Sequence, residues 1–168
     1  MVGHTLQYVL DSNVFIEASR RYYSFDFAKP FWASLCNQGK QGIICSIDKV
    51  YDELKNGNDA LKEWAIQDFH SYFQSTQQAD VLSAYARIVQ WAQAQPQFVQ
   101  RAKDIFMEDK NADTWVLAFA LAKGVKVVTH EVFSAEAQKR IPIPNVCRAF
   151  SIDCCDTFAL LKELKFRF

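Results

Sequence analysis

Residues 111–131, NADTWVLAFALAKGVKVVTHE, read as a helix that runs into a buried strand, with an acid near each end. Asn111 is a capping residue, and Asp113 falls in the first turn, where the helix dipole favours an anion. Trp115, Val116, Phe119 and Ala120 supply the apolar face, and Gly124 stops the helix. Val125, Val127 and Val128 form a short β-branched run of the kind buried on both faces in parallel sheets. Glu131 then lies just past the carboxyl end of that strand, where open α/β sheets place their sites.

The rest of the chain repeats this grammar. Leu6 to Leu10 read as a first strand ending at Asp11, and Ser12 or Asn13 begins a helix through Phe15 and Ile16 towards Arg20. Pro30 suits the first turn of a second helix that carries Trp32 and Leu35 inward and ends before Gly39. After Gly42, Ile43 to Cys45 read as a second strand. A helix follows from Ser46 or Asp48, with Val50 and Leu54 inward and a stop at Asn56-Gly57. From Asp59 to about Lys110 the pattern is helical almost throughout. Val81, Leu82, Tyr85, Ile88, Val89 and Ala92 form one stripe, Pro96 breaks it, and a short helix reaches Phe106. Past Pro142 and Pro144, Val146 to Phe150 are expected to be the last strand and Asp156 to Leu164 the last helix. Strands alternating with helices predict an α/β fold with a mostly parallel sheet covered by helices.

At 168 residues the chain is expected to be a single domain, 1–168, large enough to bury about 70% of its unfolded surface. Nineteen basic residues balance nineteen acidic ones, so there is no broad basic field for nucleic acid, and binding it would need a local patch or bridging cations. The N-terminal MVGHTLQYVLDSN lacks a signal-peptide pattern, and no apolar run approaches membrane-spanning length. A soluble, cytoplasmic protein with no membrane partner is expected. Five cysteines, with no CxxC pair, fit reduced core thiols rather than disulfides or zinc. No GxGxxG, GxxxxGK[ST] or GxSxG motif supports dinucleotide, P-loop or hydrolase chemistry. A phosphoaspartate enzyme would want a second aspartate two residues after Asp11, and DSNVF has Asn13 there.

The acids fall in register with the strands. Asp11 follows the first, Glu53 lies one helix beyond the second, Asp113 opens the helix before the third, and Glu131 follows that strand. In a parallel sheet these ends converge, and the carboxylates would raise one another's pKa unless a cation joined them. Oxygen-only donors suit Mg²⁺ or Mn²⁺. Such a cation activates water and stabilises a leaving oxygen in phosphodiester cleavage. Asp109, four residues before Asp113, shares its face if that turn is helical, and Asn13 and Thr129 are placed to orient ligands or water.

The pieces YVLDSNVFI, VYDELKNG, NADTWVLAFALAKGVKVVTHE and IPIPNVCRAFSIDCCDTF, in that order, resemble the PIN-domain ribonucleases. These are the toxin halves of many prokaryotic toxin-antitoxin pairs, and the resemblance is to the branch catalogued as a domain of unknown function, DUF4411-like. It implies a three-layer α/β/α fold and an acidic catalytic and metal site of Asp11, Glu53, Asp113 and Glu131 binding Mg²⁺ or Mn²⁺. It also implies an RNA substrate and an antitoxin partner, in some pairs with a DNA-binding domain. The family more often has aspartate in a Thr-x-Asp pattern where this chain has Thr129-His130-Glu131, and the helical block between Glu53 and Asp113 exceeds the compact family pattern.

Ordinary readings stand beside the chemical one. Asp11 could cap the first helix, Glu53 could be a solvated face beside Lys49 and Lys55, Asp113 could serve the dipole alone, Glu131 could be a surface residue, and Asp109 beside Lys110 reads as solvated. Independent caps need not recur after successive strands, so the cluster is the preferred reading. His130 in a loop is read as neither ligand nor proton carrier. The segment RRYYSFDFAKPFW interleaves Arg20, Arg21 and Lys29 with aromatics that could grip single-stranded RNA. Its stronger reading is packing onto the core, an antitoxin or a homodimer. The expectation is a metal-dependent endoribonuclease, with an inactive PIN-like module binding RNA or a protein as the alternative.

Overall fold

Strand β1 (Tyr8–Leu10) is buried along its whole length and leads directly into α1 (Ser12–Glu17), which continues as a π-helical turn over Ala18–Tyr22. The computed structural model describes residues 5–57 and 59–166. Residues 1–4, 58, 167 and 168, which belong to the expected single-domain span and include the start of the N-terminal stretch, lie outside it. Helix α2 (Lys29–Lys40), with Pro30 in its first turn, returns the chain to β2 (Ile44–Ile47). Helices α3 (Asp48–Lys55) and α4 (Ala60–Gln67) follow, then a 3₁₀ turn and the two-residue β3 (Phe73–Gln74). Helices α5 (Ala79–Gln93), α6 (Gln100–Phe106) and α7 (Ala112–Lys123) lead to β4 (Lys126–Val128). The chain closes with α8 (Ile143–Phe150), β5 (Cys154–Cys155) and α9 (Thr157–Glu163).

Among the described residues the five strands form one sheet in the order β3-β2-β1-β4-β5, and every pairing is parallel. The chain moves outward from β1 through β2 to β3, crosses back to β4, and continues to β5. Right-handed crossovers in opposite directions put their helices on opposite faces. On one face Phe15 of α1 meets Trp64 of α4 at 5.8 Å, and Trp32 of α2 meets Trp64 at 4.8 Å between ring centroids. On the other, Tyr85 of α5 stacks on Trp115 of α7 at 4.0 Å. The result is the helix-covered parallel sheet expected from the alternation of elements, in the α/β/α layering that the family resemblance implies. No helix among the described residues is long and apolar enough to cross a membrane.

Helix α7 is buried almost all round from Ala112 to Ala120, because the sheet lies under one side and α5 over the other. Asn111 caps it by accepting from the Asp113 N–H at 3.1 Å. Gly124 ends it at φ 67°, a left-handed conformation that a Cβ makes costly. The tight stop turns the chain straight into β4.

Two elements differ from the sequence reading. Residues Val146 to Phe150 belong to helix α8, not to a strand. Ile143, Val146, Cys147 and Phe150 recur at i, i+3, i+4 and i+7, Pro144 sits in the first turn, and Ser151 closes the helix at φ 57°. The last strand is instead Cys154–Cys155. Strand β3 interrupts the helical block after α4, pairing Ser46 with Phe73 and Ile47 with Gln74. Two residues are too short to carry a period, so no alternation marked it.

Replacing Gly124 by Ala is expected to lower stability by about 1 kcal/mol or more, since the new Cβ meets no neighbour and the whole cost is backbone strain. Urea denaturation checks this: a lower midpoint with unchanged slope is expected, and an unshifted midpoint would contradict the account.

Candidate active site

Between β1 and β4 the chain reverses its direction of travel across the sheet, which opens a crevice beyond the carboxyl ends of these strands. Asp11 is the first residue past β1. Its N–H donates to the Val128 carbonyl at 3.0 Å, extending the ladder by one rung, and its side chain is fully buried. Although Asp11 occupies the N-cap position of α1, its carboxylate caps nothing there. It accepts from the Thr129 hydroxyl at 3.0 Å and from the Ser12 hydroxyl at 3.4 Å. A buried Ser46 hydroxyl anchors the end of β1 by donating to the Leu10 carbonyl at 2.7 Å.

The helices add two more carboxylates at this edge. Helix α3 leaves β2 at its carboxyl end and carries Glu53 on its second turn. Helix α7 runs back towards the start of β4, so its first turn, with Asp113, lies over the same edge. The three acids sense one another. Burial first, then the charge of Asp113, raises the Asp11 pKa from 3.8 to about 7, against the opposing hydrogen bond from Thr129; Glu53 adds a smaller repulsion. Burial likewise raises Asp113, with Arg140 pulling the other way, and raises Glu53, with Ser12 opposing and Asp113 reinforcing.

Glu131 is turned elsewhere. Its N–H donates to the Thr129 hydroxyl at 3.1 Å, one carboxylate oxygen accepts from the Ile143 N–H at 2.7 Å, and the other is paired with Arg140. The first of these oxygens satisfies a free N–H at the start of α8. Arg140 also stands 3.9 Å from Asp113, so it lies between the two acids. It separates a cavity of about 260 Å³ that reaches Asn111 and Asp113 from one of about 430 Å³ that reaches Asn13 and Glu131. Asp109 is not on the α7 face: it lies in the turn before the helix, its side chain 80% exposed and ion-paired with Lys49 at 3.0 Å. His130 shares a hydrogen bond of 2.8 Å with the Thr157 hydroxyl.

Sequence reasoning missed two members of this arrangement. Ser12 was visible only as a helix starter, yet its hydroxyl lies between Asp11 and Glu53. Arg140 sits in an irregular, proline-flanked loop with no periodicity. The one available signal was the Lys139-Arg140 pair, a cationic patch shortly after an acidic strand end.

The donor set suits a hard divalent cation: Asp11, Glu53 and Asp113 offer only oxygen, and desolvation, joined at Asp11 and Glu53 by repulsion from Asp113, raises their proton affinity, a cost that a cation would offset. The side chains do not converge into a finished cage, since among the described residues no three His, Cys, Asp or Glu side chains form a metal-holding group. Arg140 supplies the nearby positive charge instead.

The folded protein therefore holds a proton near Asp11 that the unfolded chain has released above pH 3.8. Stability from this group is greatest below pH 3.8 and is lost as pH rises through about 7. Each tenfold in proton affinity is worth about 1.4 kcal/mol, so in EDTA the Asp11→Asn variant is expected to exceed the wild type by a few kcal/mol at pH 8. Chemical denaturation across pH checks this; the gain should shrink towards pH 5, and a gain that is constant with pH would contradict the electrostatic account.

No curated protein matches the chain. Among solved structures, a chain of "VapBC2 from Rickettsia felis bound to a DNA fragment from their promoter" superposes with a TM-score of 0.56 at 14% identity. The match covers 90% of this chain and 98% of that one. At that identity the likeness is one of fold, and it is the PIN-like α/β fold described above. A family model described as "Domain of unknown function (DUF4411)" matches residues 8–168, and the chain belongs to that family.

Proposed function

We propose that this protein is a metal-dependent endoribonuclease and the toxin of a prokaryotic toxin-antitoxin pair. The observation that carries the reading is a fully buried Asp11 at the reversal point of a PIN-like sheet, repelled by the half-buried Asp113 and by Glu53 on the exposed rim. In this reading these three side chains hold Mg²⁺ or Mn²⁺, with Glu131 completing the site from its anchored position and Asn13 facing the adjoining cavity. The cation would supply activation of an attacking water and stabilisation of the charge that builds on the phosphate. The chain's own part is positional. Thr129 and Ser12 fix the Asp11 carboxylate, and the Thr129 bond to the Glu131 N–H ties the two strand-end acids into one unit. In-line displacement at phosphorus leaves a 5′-phosphate and a 3′-hydroxyl. The likeness to a chain of VapBC2, solved bound to a DNA fragment from their promoter, supports an antitoxin partner, in some pairs one with a DNA-binding domain.

A second reading, a PIN-like module without activity that binds RNA or a protein, is favoured by one observation: the Arg140 guanidinium lies between Glu131 and Asp113, where a cation would otherwise balance charge. Metal linkage separates the two. A retained site saturated a hundredfold over its Kd gains about 2.7 kcal/mol of stability, whereas a dead scaffold gains nothing.

The expected outcome is that purified protein cuts a labelled structured RNA with Mn²⁺, does not with EDTA, and leaves 5′-phosphate ends. Asp113→Asn is expected to lose more activity than the roughly 10- to 100-fold cost of disturbing a ligand's supporting partners, while melting at or above the wild-type temperature. Cleavage that persists in EDTA or in the variant would overturn the assignment. A wild-type melting temperature indifferent to Mn²⁺, with no cleavage, would favour the inactive module.

A further inference from the structure

The aromatic segment after α1 divides into two sets. Tyr23 stacks on Phe31 at 4.2 Å and Phe25 stacks on Trp32 at 4.1 Å, so these rings serve the core, as the packing interpretation expects. Tyr22 does not join them. It is 51% exposed, and its ring is turned towards the carboxyl edge of the sheet, where it meets Phe158 edge-on at 5.3 Å and His130 at 6.4 Å. Phe158 is itself 47% exposed, and His130 lies 6.1 Å from it. A three-ring cluster thus stands open to solvent beside the acids, built from the turn after α1, the loop after β4 and the start of α9.

Tyr22 and His130 line the cavity of about 430 Å³ that also holds Arg21, Arg140 and Glu131. Its size lies within the roughly 300–1,000 Å³ of small-ligand sites. Arg21 is mostly exposed and contacts Glu17 through Nε at 3.2 Å, an exposed ion pair of the kind worth little in water. Aromatic faces beside guanidinium groups are what single-stranded nucleic acid uses: bases stack on rings and the backbone follows cations. The chain has no net charge, so such recognition has to be local, and here rings and cations adjoin Glu17 and Glu131, with Asp113 on the far side of Arg140.

The geometry points to a subsite, formed by Tyr22, Phe158, Arg21 and Arg140 with His130, that takes one unpaired nucleotide of an RNA strand next to the carboxylate cluster. The base lies against the Tyr22–Phe158 rings and a phosphate between the two arginines. The inference rests on the RNA-cleaving reading for its ligand class. An aromatic side chain of a protein partner is the competing occupant; the arginines and the shared wall with the acids favour RNA.

The test is binding of a fluorescent single-stranded RNA oligonucleotide to the full chain at low salt, once in EDTA and once in Ca²⁺. Tyr22→Ala and Phe158→Ala are each expected to weaken binding about fivefold to a hundredfold, the range that base stacking gives by alanine substitution. Tyr22→Phe should bind as the wild type does. Phe27→Ala, which removes a ring that is 92% exposed elsewhere in the same segment, should change nothing. Arg21→Ala should reduce the salt slope by about one phosphate contact. Circular dichroism and melting temperature confirm that each variant is folded. Equal losses from Phe27→Ala and Tyr22→Ala, no loss from Tyr22→Ala, or no wild-type binding in either buffer would overturn the subsite. Because binding is read without turnover, Tyr22-dependent binding with no cleavage would defeat the nuclease reading alone, and cleavage with Tyr22-independent binding would defeat the subsite alone.

Discussion

A strand held between two parallel neighbours brings their ends to one edge, and β1 is held in this way by β2 and β4. Everything at the crevice follows from that placement. Asp11 cannot turn away into solvent, because its own N–H is the last rung to β4 and its side chain is enclosed. The carboxylate is therefore committed to a low-dielectric position before any ligand arrives, and its neighbours on α3 and α7 compound the field. The fold tolerates the arrangement by hydroxyl donors from Ser12 and Thr129 and by the raised proton affinity of Asp11, and Arg140 offsets part of the charge around Asp113.

What was legible in the sequence and what was not divides along physical lines. The stretch 111–131 disclosed a helix, its cap, its glycine stop and the following strand, because each of those signals is local: a side chain bonding its own turn, a left-handed glycine, a β-branched run. The positions of Asp11, Glu53 and Asp113 at one edge were legible through topology, since alternation of strand and helix already implies parallel pairing. Strand β3 was hidden because two residues have no period, and α8 was misread because an apolar run of that length suits either element until the i, i+3, i+4 spacing is weighed. Arg140 was hidden for a different reason. Its position depends on how a loop of irregular backbone folds back over β4, and nothing within that loop's sequence records it.

Glu131 shows how a strand-end acid can tie the scaffold together and still meet Arg140 at the cleft. Its backbone and side chain are tied to Thr129 and to the first turn of α8, so the loop that carries it is fixed at both ends. The longer reach of glutamate suits this: one oxygen serves α8 while the other faces the cleft side through Arg140. Thr129 is the hinge pin of the edge, donating to one acid and accepting from the backbone of the next.

The sheet ends on both sides in strands of two residues, β3 and β5. An edge that short offers another chain only a rung or two of backbone ladder, which is one of the ways natural sheets blunt their borders. Association by continuing the sheet into a neighbour is therefore weakly templated. Any chain that docked on this protein would find most of its contact area on the helical layers and on the loops above the strand ends. Its choice of partner is then written in side-chain shape and charge, and hardly at all in main-chain hydrogen bonding.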